Sequence, residues 1–312
     1  MKRIAIYVIT YNQEDVIRRS LDSILCQKEW GLYRVVVSDD CSKDRTWSIL
    51  QEYKNEYPEI IEIHRNEHNL GIYPNIQKAT SYLPESDLYG TLAGDDAYCN
   101  GYFEAIQRFL KDNGIDTTEA IGIYSDWKAI DPSGDEIVHK QEIVKSGVRL
   151  WSLKARGLIS KRSLLWSKKV FDNYEAMLTG CGLNLIESHY DSQVPLNIKA
   201  AYYMPQVTTI YYAGIGVSKR LADSLSAYNT TENIEKWNYG IDHYVQDERD
   251  MNLAKYNISR SEYFINPKWS DLFKMYSYYK KSQLPIFRDS FKKTLLLFLS
   301  LAKYKISFKK KN

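Results

Sequence analysis

Two pairs of adjacent aspartates, Asp39-Asp40 and Asp95-Asp96, each stand directly after an apolar run. Neighbouring carboxylates repel each other. A buried strand that ends in two of them therefore points to a cation there, or to a ligand that carries one. Asp95-Asp96 closes the run Leu88-Tyr89-Gly90-Thr91-Leu92-Ala93-Gly94, and Asp39-Asp40 closes Arg34-Val35-Val36-Val37-Ser38. A third run, from Ile4 to Ile9, ends in the polar cluster Thr10-Tyr11-Asn12.

These clusters need a scaffold that gathers three strand ends, and the intervening segments describe one. Glu14 to Gln27 places Val16, Ile17, Leu21, Ile24 and Leu25 at helical spacing. A helix start at Ser42–Arg45 precedes Trp47, Ile49, Leu50 and Tyr53, and Pro58 ends that segment. Ile60–His64 reads as a strand, about Pro74 to Leu83 as a helix, Tyr102–Leu110 as another, and Ile121–Asp126 as a fifth strand. Strands that alternate with helices predict a mostly parallel sheet with helices on both faces. In an open sheet of that kind ligands bind at the carboxyl ends of the strands, so the three clusters should converge on one site. Asp131-Pro132-Ser133-Gly134-Asp135 is a turn signal at a hairpin tip. Tyr202–Tyr212 reads as a strand, and residues 222–312 as mostly helical.

Composition sets the class. The 312 residues are 44% hydrophobic and 26% charged, as expected of one large globular domain or one with an appendage. Met1-Lys2-Arg3 leads straight into a strand, with no secretory pattern. The four cysteines, Cys26, Cys41, Cys99 and Cys181, form no CxxC pair, which favours a reducing cytosol over a disulfide framework or a zinc site. The net charge of +3 is uneven: residues 286–312 carry +7, which leaves the remainder at −4. An acidic body argues against nucleic acid as a partner. The basic residues flank Leu295–Ala302, a run too short to span a bilayer. It suits either a helix lying on an anionic membrane surface or a last packed helix with a basic end.

The ordered motifs Ile-Thr-Tyr-Asn (9–12), Val-Val-Val-Ser-Asp-Asp-Cys-Ser-Lys-Asp (35–44), Asn-Leu-Gly (69–71) and Leu-Ala-Gly-Asp-Asp (92–96) resemble the family 2 glycosyltransferases of GT-A fold, in particular those of bacterial capsule and O-antigen synthesis. The likeness covers roughly residues 1–215. It implies an α/β, Rossmann-like GT-A domain at 1–218, with a nucleotide-sugar half (1–130) and an acceptor half (131–218), followed by a helical extension at 219–312. It also implies an inverting transferase that uses a nucleotide-sugar donor, usually UDP-linked, with Mn²⁺ or Mg²⁺. By this resemblance Asp96, with Asp95 beside it, holds the metal. Tyr11 stacks on uracil, and Thr10 lines the base pocket through its backbone, next to Asn12. Asp40 accepts from the uracil imide, a task that suits an acceptor-only carboxylate. Asp39 braces the loop or meets ribose, and Asn69 and Gly71 form the third motif. The family often has a further acid two residues before the pair. Here that residue is Ala93, which leaves Asp95 a metal, sugar or ribose role.

An inverting transfer also needs a base at the acceptor hydroxyl. The family's Glu-Asp pair is absent from Leu185–Gln193, so Asp191 is the first candidate and Glu187 the second, with His189 between them. Asp191 equally suits a helix cap ahead of Pro195. Trp151, Arg156, Lys161, Arg162 and Trp166 could meet a glycan or a polyprenyl-diphosphate-linked acceptor, or form a solvated flap. The reading is a cytoplasmic enzyme, peripheral on the inner membrane face if its tail docks there. A sugar nucleotidyltransferase and a non-catalytic glycan-assembly subunit are the rival readings.

Overall fold

The computed structural model describes residues 1–141, 143, 163–171, 197–214, 234–235, 237–238, 241, 245, 247–266 and 268–282. Among the described residues, nine strands and five helices up to Tyr212 belong to one compact unit, and the helices Glu248–Ile265 and Trp269–Ser282 belong to a second. Asp191, Glu187, His189, Trp151, Arg156, Lys161, Arg162 and the basic tail lie outside the described residues.

The first unit opens with β1 (Ile4–Thr10), α1 (Ile17–Leu25), β2 (Leu32–Asp39), α2 (Thr46–Glu56), β3 (Ile61–Arg65), α3 (Ile72–Ser81) and β4 (Leu88–Ala93). It continues with β5 (Ala97–Tyr98), α4 (Tyr102–Asp112), β6 (Ile121–Ile130), β7 (Glu136–His139), β8 (Leu164–Ser167), α5 (Lys168–Phe171) and β9 (Ala200–Tyr212). The sheet order is β3-β2-β1-β4-β8-β6-β9-β5, with β7 paired to β6. Its long ladders, β1 with β2 and β4, β2 with β3, and β6 with β9, are parallel. Three short antiparallel pieces join or extend them: β8 between β4 and β6, β7 on β6, and β5 on β9.

The inner strands are apolar without alternation because both faces are covered. Ile4, Ile6, Val8, Val35, Val37, Leu88 and Leu92 share one core with Ile17, Leu21 and Ile24 of α1. That stripe on α1 recurs at three- and four-residue steps, which makes the segment a helix on this sheet. α3 begins earlier than its pattern suggests, at Ile72, because Pro74 fits a first turn where its missing N–H costs nothing.

Trp166 corrects the sequence expectation. It is fully buried in β8, edge-on to Tyr7 at 6.4 Å and to Phe171 at 5.7 Å, so it packs the sheet and offers no face to an acceptor.

The second unit contains α6 (Glu248–Ile265) and α7 (Trp269–Ser282). Asp247 caps α6 by accepting from the Asp250 N–H at 2.9 Å, and Glu248 and Asp250 place acid in the first turn, where the helix dipole favours it. Leu253, Tyr256 and Tyr263 of α6 are buried, as are Leu272, Met275 and Tyr279 of α7, and the Tyr256 and Tyr279 rings meet at 5.6 Å. Among the described residues no helix is long and apolar enough to cross a membrane.

Candidate active site

Register brings the strand ends level. Thr10 lies opposite Asp39, Asp39 opposite Arg65, and Ile9 opposite Ala93, so the three polar clusters and the Asp95-Asp96 turn share one rim of the sheet.

Two loops on this rim are laced together. The Asn12 N–H donates to Ser42 Oγ at 2.9 Å, and the Lys43 N–H returns a bond to Asn12 Oδ1 at 2.8 Å. The Gln13 N–H meets Thr46 Oγ1 at 2.8 Å, while Glu14 and Arg45 bind across the same gap. Asn12 and Cys41 sit at φ 51° and 62°, a region that non-glycine residues enter only under local constraint, and the lacing supplies it. Tyr11 is half-buried between these contacts.

Asp39 is sealed from solvent. It accepts from the Ser42 N–H and hydroxyl and lies 3.3 Å from Arg65 Nε. Burial pushes its carboxyl above the ordinary range, against the opposite pull of Ser42 and Arg65. Its contacts are therefore those of a brace. Asp40 Oδ1 accepts from Asn66 Nδ2 and the Leu70 N–H, both at 2.8 Å, and Oδ2 accepts from the Gly71 N–H at 2.8 Å. The second motif thereby holds the third. Gly71 starts α3 at φ 87°, which a Cβ would strain. The Asn69 side chain is exposed and makes no hydrogen bond to a described residue.

Asp95 and Asp96 follow β4 on a tight turn, in which the Asp96 N–H donates to the Ala93 carbonyl at 3.0 Å. Gly94 leaves little room there: a Cβ would come within 2.3 Å of Gln13 Oε1, which would have to move, and 3.1 Å of Thr10 Cβ. Asp95 is half-buried and Asp96 is 4% exposed. Asp96 Oδ1 accepts a long bond of 3.3 Å from the Tyr212 N–H. Arg19 supports the turn from α1: its Nη2 donates to the Asp95 carbonyl at 2.7 Å, and its guanidinium lies 3.4 Å from the Tyr212 ring centroid. Among the described residues no three acids, histidines or cysteines form a metal cage. Two carboxylates do fit an ion such as Mg²⁺ that takes one or two protein ligands and completes its shell from substrate phosphates.

The family pattern "Glycosyl transferase family 2" matches residues 5–168. The chain belongs to that family. An uncharacterized protein of Mycobacterium tuberculosis is 32% identical over 92 residues, which are 30% of this chain and 26% of that protein. The abequosyltransferase RfbV of Salmonella typhimurium is 26% identical over 140 residues, 41% of this chain and 42% of its own. The chain thus spans a quarter to under half of the curated relatives it matches. S. aureus TarS in complex with UDP-GlcNAc superposes with a TM-score of 0.59 at 14% identity, covering 88% of this chain and 79% of that one. The mannosyltransferase PcManGT of Pyrobaculum calidifontis, with GDP-Man and Mn²⁺, gives 0.54 at 14% identity over 98% and 82%. The fold of this family 2 chain is accordingly GT-A: a curled α/β sheet, with helices in the C-terminal part.

Several residues of the family 2 rim escaped the sequence reading. Asn66 and Asn75 are buried and bonded to each other at 2.9 Å, and Asn75 also binds Ser38. Lone asparagines carry no periodic signal. Arg19 sits among the polar positions of an amphipathic helix, where sequence alone does not separate it from a solvated cation.

Proposed function

We propose that the chain transfers a sugar, with inversion, from a nucleotide-sugar donor, with a UDP-sugar as first choice, to a glycan acceptor carried on a lipid diphosphate in bacterial surface-polysaccharide synthesis. The observation that carries this reading is the shared rim on which Thr10–Asn12, Asp40 with its Asn69–Gly71 loop, and Asp95-Asp96 meet. Tyr11 stacks on the base, and Thr10 borders it. The second acceptor direction of Asp40 Oδ2 takes the imide N–H while Gly71 keeps the first. Asp39 keeps the loop in place.

Asp96 and Asp95 would hold Mn²⁺ or Mg²⁺, which would supply positive charge opposite the donor's diphosphate. Asp191 accepts the proton of the acceptor hydroxyl, with Glu187 as the alternative. Residues 1–218 form the catalytic body, and the basic tail meets an anionic membrane face. RfbV by its name, and TarS and PcManGT by their ligands, support a donor of this class.

A thermal-shift panel of UDP-, GDP-, dTDP- and CMP-sugars, with and without Mn²⁺, tests the proposal. A ligand at a hundred times its Kd adds about 2.7 kcal/mol, and a Mn²⁺-dependent shift with a UDP-sugar is expected. No shift with any nucleotide would return the non-catalytic reading to the front. Asp191→Ala should leave that shift intact while stopping transfer; full transfer in this variant would move the base to Glu187.

A further inference from the structure

A fourth strand, β6, carries an aspartate within its length at the level of this rim. Gly90 of β4 and Ile123 of β6 both face Leu165 of the intervening β8, and β4 and β6 run in the same direction. Three residues further on, Asp126 stands level with Ala93, two strand spacings or about 10 Å away. The ladder is broken at this point. β6 pairs regularly with β9 up to Ser125 opposite Met204, then slips, so that Asp126 faces Val207 and Trp127 faces Thr209. Pro205 lies in the slipped stretch and has no N–H to give. Irregularities of this kind re-aim side chains beside binding sites.

Asp126 is 5% exposed and firmly held by one oxygen only. Oδ1 accepts from the Gln141 N–H at 2.8 Å and from the Tyr203 hydroxyl at 2.8 Å. Gln141 is itself fixed to the Ser125 carbonyl and to Ser163 Oγ. Burial, and then the bond to Asp126, push the Tyr203 phenol up to about 12, so it remains a donor at neutral pH. Oδ2 accepts from no described residue, and it is not among the sealed atoms left without a partner. A buried carboxylate with one oxygen saturated and the other open is a rigid acceptor for a neutral O–H. A diphosphate would be repelled, and among the described residues no second or third ligand stands by to complete a metal cage.

We infer that Asp126 Oδ2 reads a hydroxyl of a sugar ring bound at this rim, the donor's or the acceptor's. The inference rests on the nucleotide-sugar reading. It assigns Asp126 a binding and specificity role separate from the metal pair and the base.

The test compares Asp126→Asn with wild type for Mn²⁺-dependent binding of free UDP, GDP, dTDP and CMP and of their common sugar conjugates. If the donor sugar is the ligand, affinity for the wild type's preferred conjugate falls about tenfold or more, as for a lost hydrogen bond to a charged group, while the free nucleotide binds within about twofold. If the acceptor is the ligand, both bind as before and transfer to a panel of simple alkyl glycosides loses kcat/KM through a higher acceptor KM. Tyr203→Phe keeps the carboxylate but loosens it, so it should show a smaller shift of the same selectivity, and it serves if the asparagine variant fails to fold. Equal loss for nucleotide and conjugate, or no change in binding and transfer, would overturn the role of Asp126 alone. A wild type that binds none of the nucleotides would overturn the donor reading along with it.

Discussion

The two aspartate pairs have the same dipeptide and similar positions after buried parallel strands, yet they are used differently. Asp39 and Asp40 are turned into the protein and receive bonds from Ser42, Asn66, Leu70 and Gly71, with Arg65 alongside. Asp95 and Asp96 lie on a turn whose backbone is held by Ala93 and Arg19, and Asp96 Oδ1 accepts from the Tyr212 N–H. The difference teaches that adjacency of carboxylates marks a strand end where charge is tolerated, and that the donors around a carboxylate set how much of the fold depends on it.

The sharpest way to break this comparison is Asp96→Ala. If the second pair serves the ligand, Mn²⁺-dependent UDP binding falls on the order of a hundredfold or more by calorimetry, as for loss of a metal ligand, while the melting temperature holds. A melting temperature that drops instead would make the two pairs alike.

Asp40→Ala should cost stability as well as binding. It strips the acceptor from two backbone N–H groups and the Asn66 amide, so stability falls by about 3 kcal/mol in urea unfolding. Free UDP binding should weaken as well, because the Asn69–Gly71 loop loses its anchor.

The smallest effect concerns acid. Burial opposes the charge on Asp44, but the donors on Thr46 and the Glu14 N–H outweigh it and hold its carboxyl below the usual range. A folded-state pKa below the unfolded one gives stability that is present above about 3.9 and is lost as pH falls through the folded value. Asp39, raised by burial, has the opposite sign: its ionisation opposes folding as pH rises through its folded pKa. Asp44→Asn should therefore flatten the acid limb of the urea midpoint below about pH 4, the reference value. An unchanged limb would show that these loops do not sense its charge.

The parallel half of the fold was legible because each of its strands is a full apolar run bounded by polar residues, and because α1 repeats its stripe at helical steps. The four-residue β8 was not legible. Leu164–Ser167 sits between Arg162 and Lys168-Lys169, and so short a run without alternation resembles a flap as much as a buried strand. Trp166, within it, was misassigned for the same reason. In the site, the place of Asp95-Asp96 and of the second motif on the rim could be read from their positions after strands. The grip of Asp40 on Leu70 and Gly71 could not, since backbone donors have no residue signature. Asp126 could have been found: Ile121–Asp126 ends in a carboxylate as the other runs do, and only its lack of a second aspartate hid it.

The lacing of Asn12–Glu14 to Ser42–Thr46 also bears on timing. Loops tied by so many reciprocal bonds take their shape when the chain folds, not when a nucleotide arrives. Little ordering entropy is then left to set against affinity, and capture should behave as a simple collision: an observed rate that climbs linearly with nucleotide concentration, with no plateau from a slow rearrangement, and discrimination expressed in how long the ligand stays.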